Sequence, residues 1–106
     1  MNGKTSKIWR FSLNQRVINW RAAEALGAIV RESYRGKMTY ERYAKKIGVS
    51  RKVMNDVAIG EGHRCSRLEL IDLVEKLDLS NEKRQKAKHF VDVLTGYKTA
   101  QNIVPV

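Results

Sequence analysis

Arg51, Lys52, Asn55 and Asp56 lie within six residues and bring together a guanidinium, an ammonium, an amide and a carboxylate. These are the groups that hydrogen-bond to base edges in a DNA major groove: Arg or Lys to guanine, Asn to adenine, Asp to the cytosine amine. Met54 and Val57 return to a core at helical spacing, which is expected to leave the four polar residues facing outward. Two cations at a helix start oppose the helix dipole, so Arg51 and Lys52 point to an anion bound there. An exposed asparagine is unremarkable by itself. Asp56 would repel phosphate, and three roles stay open for it: accepting from cytosine, orienting Lys52 four positions earlier, or disfavouring wrong sequences.

The residues before this cluster say how its helix is held. Tyr43 and Ile47 are four apart and share a face of a preceding helix. Ala44 is small enough for a close crossing. Gly48 suits the left-handed residue that ends a helix, Val49 plugs the corner, and Ser50 caps the next helix. Two short helices over roughly 39–47 and 50–59 about a tight turn have the layout of a helix-turn-helix.

Other elements support this pair. Val17, Ile18, Ala22, Ala25, Leu26, Ile29 and Val30 recur at three- and four-residue steps, predicting a long core-facing helix from about Asn14 to Tyr34. Ser66 and Glu69 form a capping box opening a helix whose Leu70, Leu73, Val74 and Leu77 face inward. Ser80 caps a fifth helix with Ala87, Phe90, Val91 and Leu94 as its apolar stripe. Residues Gly60–Arg64 read as a loop. Ile8, Trp9, Phe11 and Leu13 partly alternate, which predicts a short strand or an extended arm. The expected organisation is all-α: a basic N-terminal arm over 1–13, a five-helix domain over 14–95 and a C-terminal tail over 96–106.

With 106 residues, 42% hydrophobic and 30% charged, the chain suits one globular domain. Its formal net charge is +10, unevenly spread. Residues 1–64 hold 14 Lys/Arg against 5 Asp/Glu, whereas residues 65–106 hold 7 against 6. A binding part followed by a packing part is the simplest reading. No basic stretch carries the strong apolar face an anionic membrane surface requires, and no apolar run is long enough to span a bilayer. Cys65 is the only cysteine, so a reducing cytoplasm is expected. His63 and His89 lie far apart, without metal-ligand spacing, and the acids scatter singly along helices. No metal, cofactor or catalytic residue is expected, and an enzyme such as a nuclease is disfavoured.

The segment from Leu26 to Leu79 resembles the lambda-repressor-like, or XRE-type, helix-turn-helix family. The likeness rests on Leu26-Gly27-Ala28-Ile29-Val30-Arg31-Glu32, on Tyr43 to Ser50, and on Ser66 to Leu79. It implies a recognition helix entering the major groove from its N-terminal end, with Arg51, Lys52 and Asp56 base-facing and Asn55 beside them. It also implies phosphate contacts from Thr39 and Tyr40 and from the loop Gly60–Arg64, which holds His63 and Arg64; Lys37 and Ser50 flank the motif in the same role. The chain departs from the family pattern at Tyr40, commonly glutamine, and at Ala58, usually glutamate, and in a longer loop before Ser66.

These expectations converge on a cytoplasmic, nucleoid-associated transcriptional regulator, a dimeric repressor of the phage, plasmid or bacterial kind. Its partner would be double-stranded DNA, read as a palindrome with recognition helices about 34 Å apart. Helix five and the hydrophobic tail are the expected dimer surface. Trp9 and Trp20 read as core or dimer packing, and the arm around Trp9 and Phe11 could pair with Ile103 and Val104. The alternative is an antitoxin whose protein partner is a toxin and which represses its own operon.

Overall fold

Local chemistry decides where the helices begin and end. Thr39, Ser50, Ser66 and Ser80 each turn a side-chain oxygen onto a backbone N–H three residues on, satisfying donors that a helix start leaves unpaired. The computed structural model describes the backbone of residues 2–96 and the side chains of residues 16–96. Over that range the order is α1 (Asn2–Tyr34), α2 (Tyr40–Ile47), α3 (Arg51–Ala58), α4 (Arg67–Lys76) and α5 (Asn81–Leu94). A single 3-10 turn, Gly62–Arg64, occupies the loop between α3 and α4. No strand occurs among the described residues, so the chain is all-α.

The core gathers Leu26 and Val30 of α1, Met54 and Val57 of α3, Leu70, Leu73 and Val74 of α4 with Leu77 after it, and Val91 of α5. Each of these is closed off from solvent. The expected inward faces of α3 and α4 are therefore observed.

Three expectations fail. The strand or arm over residues 8–13 is helical backbone, because α1 runs unbroken for 33 residues from Asn2. Neither glycine nor proline interrupts residues 4–26, so a brief alternation cannot outweigh continuous helix propensity. Val17 and Ile18, expected in the core, are exposed, as is Trp20, which rules out core packing for it. The apolar periodicity continues N-terminally past the last point where α1 meets its own core. Finally, Ala87, Val91 and Leu94 of α5 are buried within the chain itself, against α1 and α4, rather than left for a dimer. The tail beyond Gly96 and the arm–tail pairing of Trp9 and Phe11 with Ile103 and Val104 lie outside the described residues.

One close approach fixes α3 beneath α1. A Cβ at Gly27 would lie 2.7 Å from the Val57 carbonyl oxygen and 3.2 Å from the Gly60 nitrogen. Only glycine lets the two backbones meet there. One turn later the Arg31 guanidinium donates to the Ala58 carbonyl, closing the C-terminal end of α3.

Candidate nucleic-acid interface

The turn between α2 and α3 is built from short-range contacts. Gly48 takes φ +77°, the left-handed conformation that ends α2, and Val49 N–H donates to the Ala44 carbonyl at 2.9 Å. Ser50 Oγ then accepts from Val53 N–H at 3.2 Å and starts α3. The rest of the domain holds this unit from behind. Lys76 Nζ donates to the Gly48 carbonyl at 3.1 Å, and the buried Tyr43 accepts Asp78 N–H on its hydroxyl at 2.9 Å. Tyr34 packs a ring against Tyr43 at a centroid distance of 5.9 Å.

That scaffold turns the first turn of α3 outward. The Arg51 side chain is 71% exposed and donates through Nη1 to Glu41 Oε2 at 2.9 Å. Lys52 is equally open and places Nζ 3.4 Å from Asp56 Oδ2. Asn55, one turn after Arg51, is half-buried. Asp56 corrects the sequence reading: the residue is only 6% exposed. Its carbonyl accepts Glu61 N–H at 2.8 Å where the loop after α3 folds back over it. Its carboxylate faces Lys52, so of the roles open to it only the orienting one has a contact here.

The Glu41–Arg51 bond sets the N-terminal turns of α2 and α3 side by side. Thr39 and Tyr40, the start of α2, therefore join Ser50, Arg51 and Lys52 on one surface. Thr39 and Ser50 are exposed and Tyr40 is half-buried. Lys37, two residues before the Thr39 cap, is exposed and has no carboxylate within 4.0 Å among the described residues. His63 and Arg64 are exposed but sit at the other end of α3, in the turn behind Ile59 and Gly60, with Arg64 held to Glu61 at 3.1 Å. No hydrogen bond or ion pair among the described residues joins them to the Arg51 end.

Sequence reasoning missed Glu41 and Glu61. It took Arg51 and Lys52 as cations awaiting an external anion, yet each already has a carboxylate from the chain. Lys52–Asp56 was visible as an i,i+4 spacing. Glu41–Arg51 was not, because only the crossing of α2 and α3 brings positions ten apart together.

Chemically the surface is a row of donors. Each cap hydroxyl uses an acceptor site on the backbone and keeps its own O–H free. The first-turn amides of both helices have no intrahelical acceptor. Arg51 spends Nη1 on Glu41 and retains Nη2 and Nε. Among the described residues no three His, Cys, Asp or Glu side chains converge as a metal site. No helix among the described residues is long and apolar enough to cross a membrane. No protein-family model, curated protein or solved structure matches this chain.

Proposed function

We propose that the chain is a sequence-specific DNA-binding regulator of transcription that works as a homodimer on a palindromic operator, with α3 in the major groove. The observation that carries this reading is the exposed first turn of α3, where Arg51 and Lys52 stand beside the capped start of α2. Cation and amide donors face one way, and the chain as a whole carries +10. Glu41 holds the guanidinium by one nitrogen, so the remaining pair of donors is aimed and available for the O6 and N7 of a guanine. A bidentate contact of that kind contributes about 1–3 kcal/mol of discrimination. Asn55 adds an amide one turn deeper. Asp56 is a positioning residue for Lys52 in this scheme.

Phosphates would sit against the two helix starts, where free amides and the positive dipole end favour an anion. The hydroxyls of Thr39, Tyr40 and Ser50 donate there with Lys37 beside them, while His63 and Arg64 would meet the backbone separately, from the far end of α3. Such contacts fix register without reading sequence. A small dimer that covers a promoter needs no chemistry to repress it. The resemblance to lambda-repressor-like regulators supports the same reading.

Titrating the protein against the DNA upstream of its own gene, beside a shuffled fragment, tests it. A preference of about 1,000-fold at physiological salt is expected, with a log–log salt slope near −5 for about six phosphate contacts. Arg51→Ala should reduce specific binding by roughly 10- to 100-fold while leaving binding to the shuffled fragment within a few-fold. Equal loss on both DNAs would overturn the assignment of Arg51 as a base reader.

A further inference from the structure

The face of α1 turned away from the core carries side chains that the chain itself leaves without partners. Val17 is 46% exposed and Trp20 58% exposed. Arg21 and Glu24 follow on the same face, both exposed. They are three positions apart, a spacing at which a helix commonly joins opposite charges. Yet neither is bonded to the other or to any described residue. Beside them runs an open groove of about 490 Å³ lined by Arg21, Glu24, Ala25, Arg31, Ile59 and Gly60, with Ile59 itself 57% exposed. An apolar strip next to one free cation and one free anion is an interaction surface.

We infer that a second copy of this chain occupies this face, α1 against α1 in antiparallel sense about a two-fold axis, with Arg21 of each copy facing Glu24 of the other. An isologous contact demands a surface complementary to itself, and this one is. When position 21 faces 24 of the second copy, position 24 faces 21 by the same symmetry, giving two reciprocal ion pairs. The register also sets Trp20 opposite Ala25 of the second copy and Val17 opposite its Ala28. Large residues then meet small ones, as close packing of two helices at 8–10 Å requires. Charge favours a copy over other occupants. At +10 the chain repels itself almost everywhere, but at positions 21 and 24 one acid stands beside one base, and the Arg31 guanidinium in the same groove is turned onto the Ala58 carbonyl. A partner chosen for attraction to a basic protein would be acidic and would meet Glu24. The pairing supplies the surface for the dimer proposed above and rests on that reading only for its use on DNA.

The test is the mass of the full chain in solution by sedimentation equilibrium. The wild type is expected as a dimer. Arg21→Glu and Glu24→Arg each place like charges opposite one another, so each alone should halve the mass while keeping wild-type helical circular dichroism. Mixed in equal amounts, the two variants regain both ion pairs and should return to the dimeric mass. Trp20→Glu should be monomeric with or without a partner variant. A monomeric wild type, single variants that stay dimeric, or a mixture that stays monomeric would each overturn the pairing. A dimer that binds all DNA equally would remove the proposed function and keep this interface. A monomer that selects its operator would do the reverse.

Discussion

The cations of the chain divide into two groups by what they touch. From Arg51 onward Arg51, Lys52, Arg64, Arg67, Lys76, Lys83, Lys86 and Lys88 each have a carboxylate within 4.0 Å. Between Arg21 and Lys46 the pattern reverses. Arg21, Arg35, Lys37, Arg42, Lys45 and Lys46 have none among the described residues. Exposed pairs of this kind stabilise a fold by only about 0–1 kcal/mol, so the contrast concerns field more than stability. A paired cation is half-neutralised at a distance, whereas an unpaired one attracts phosphate at full strength until salt screens it. The attraction for a polyanion is thus concentrated on Arg35 and Lys37 between α1 and α2 and on Arg42, Lys45 and Lys46 of α2, Arg21 being met by Glu24 in the proposed dimer. The residues assigned to base reading lie at the edge of the neutralised region, held in place by Glu41 and Asp56. In the proposed scheme attraction and reading fall to different side chains.

The largest test of that division is Arg84, the one described cation from Arg51 onward without a carboxylate. It donates instead to the carbonyls of Val74, Glu75, Leu77 and Leu79, which closes the C-terminal end of α4. Hydrogen bonds from a charged donor contribute about 1.5–3 kcal/mol, and three of the four contacts here are partly buried. Arg84→Ala should therefore lower the unfolding free energy by about 2–3 kcal/mol in urea. DNA affinity of the molecules that remain folded should be unchanged. A loss of affinity without a loss of stability would place Arg84 among the ligand-facing cations.

Lys37 probes the opposite group with a smaller effect on the fold. Exposed and unpaired, it should cost less than about 0.5 kcal/mol of stability when changed to alanine. Binding to every DNA should weaken by a similar factor, and the magnitude of the log–log salt slope should drop by about 1. An unchanged slope would show that Lys37 does not meet phosphate.

The same contrast explains what the sequence disclosed. Caps and turns were legible because they depend on neighbours a few residues away: Gly48 at the end of α2, Ser50 before α3, the Ser66–Glu69 box, Ser80 before α5. Inward faces at helical spacing were legible for the same reason. Features decided by the crossing of distant segments were not. Asp56 looked outward until the loop through Glu61 folded over it, and the Glu41 partner of Arg51 depends on how α2 meets α3. Val17 and Ile18 obey the core periodicity of α1 but lie beyond the end of the core, which periodicity alone cannot locate.

Cys65 offers a smaller and more local measure of the neutralised region. Burial chiefly, then the negative charges of Asp56 and Glu69, pushes its thiol from 9.0 up to about 11, and Lys52 pulls only weakly the other way. Below pH 9 the thiol is protonated in both folded and unfolded chain, and this stabilising preference is fully present. Between pH 9 and 11 the unfolded chain loses the proton while the folded one keeps it, so stability should decline across that window and level off above it. Alkylation of the native protein followed against pH reads the same quantity directly, since only the thiolate reacts. The rate should still be climbing at pH 10, with a midpoint near 11. Asp56→Asn should lower that midpoint, because it removes one of the two acids that hold the proton in place. A midpoint at or below 9 would mean that the loop after α3 stands open and Cys65 lies in solvent. The burial of Asp56 beneath that loop, and with it the anchor for Lys52, would then have to be abandoned.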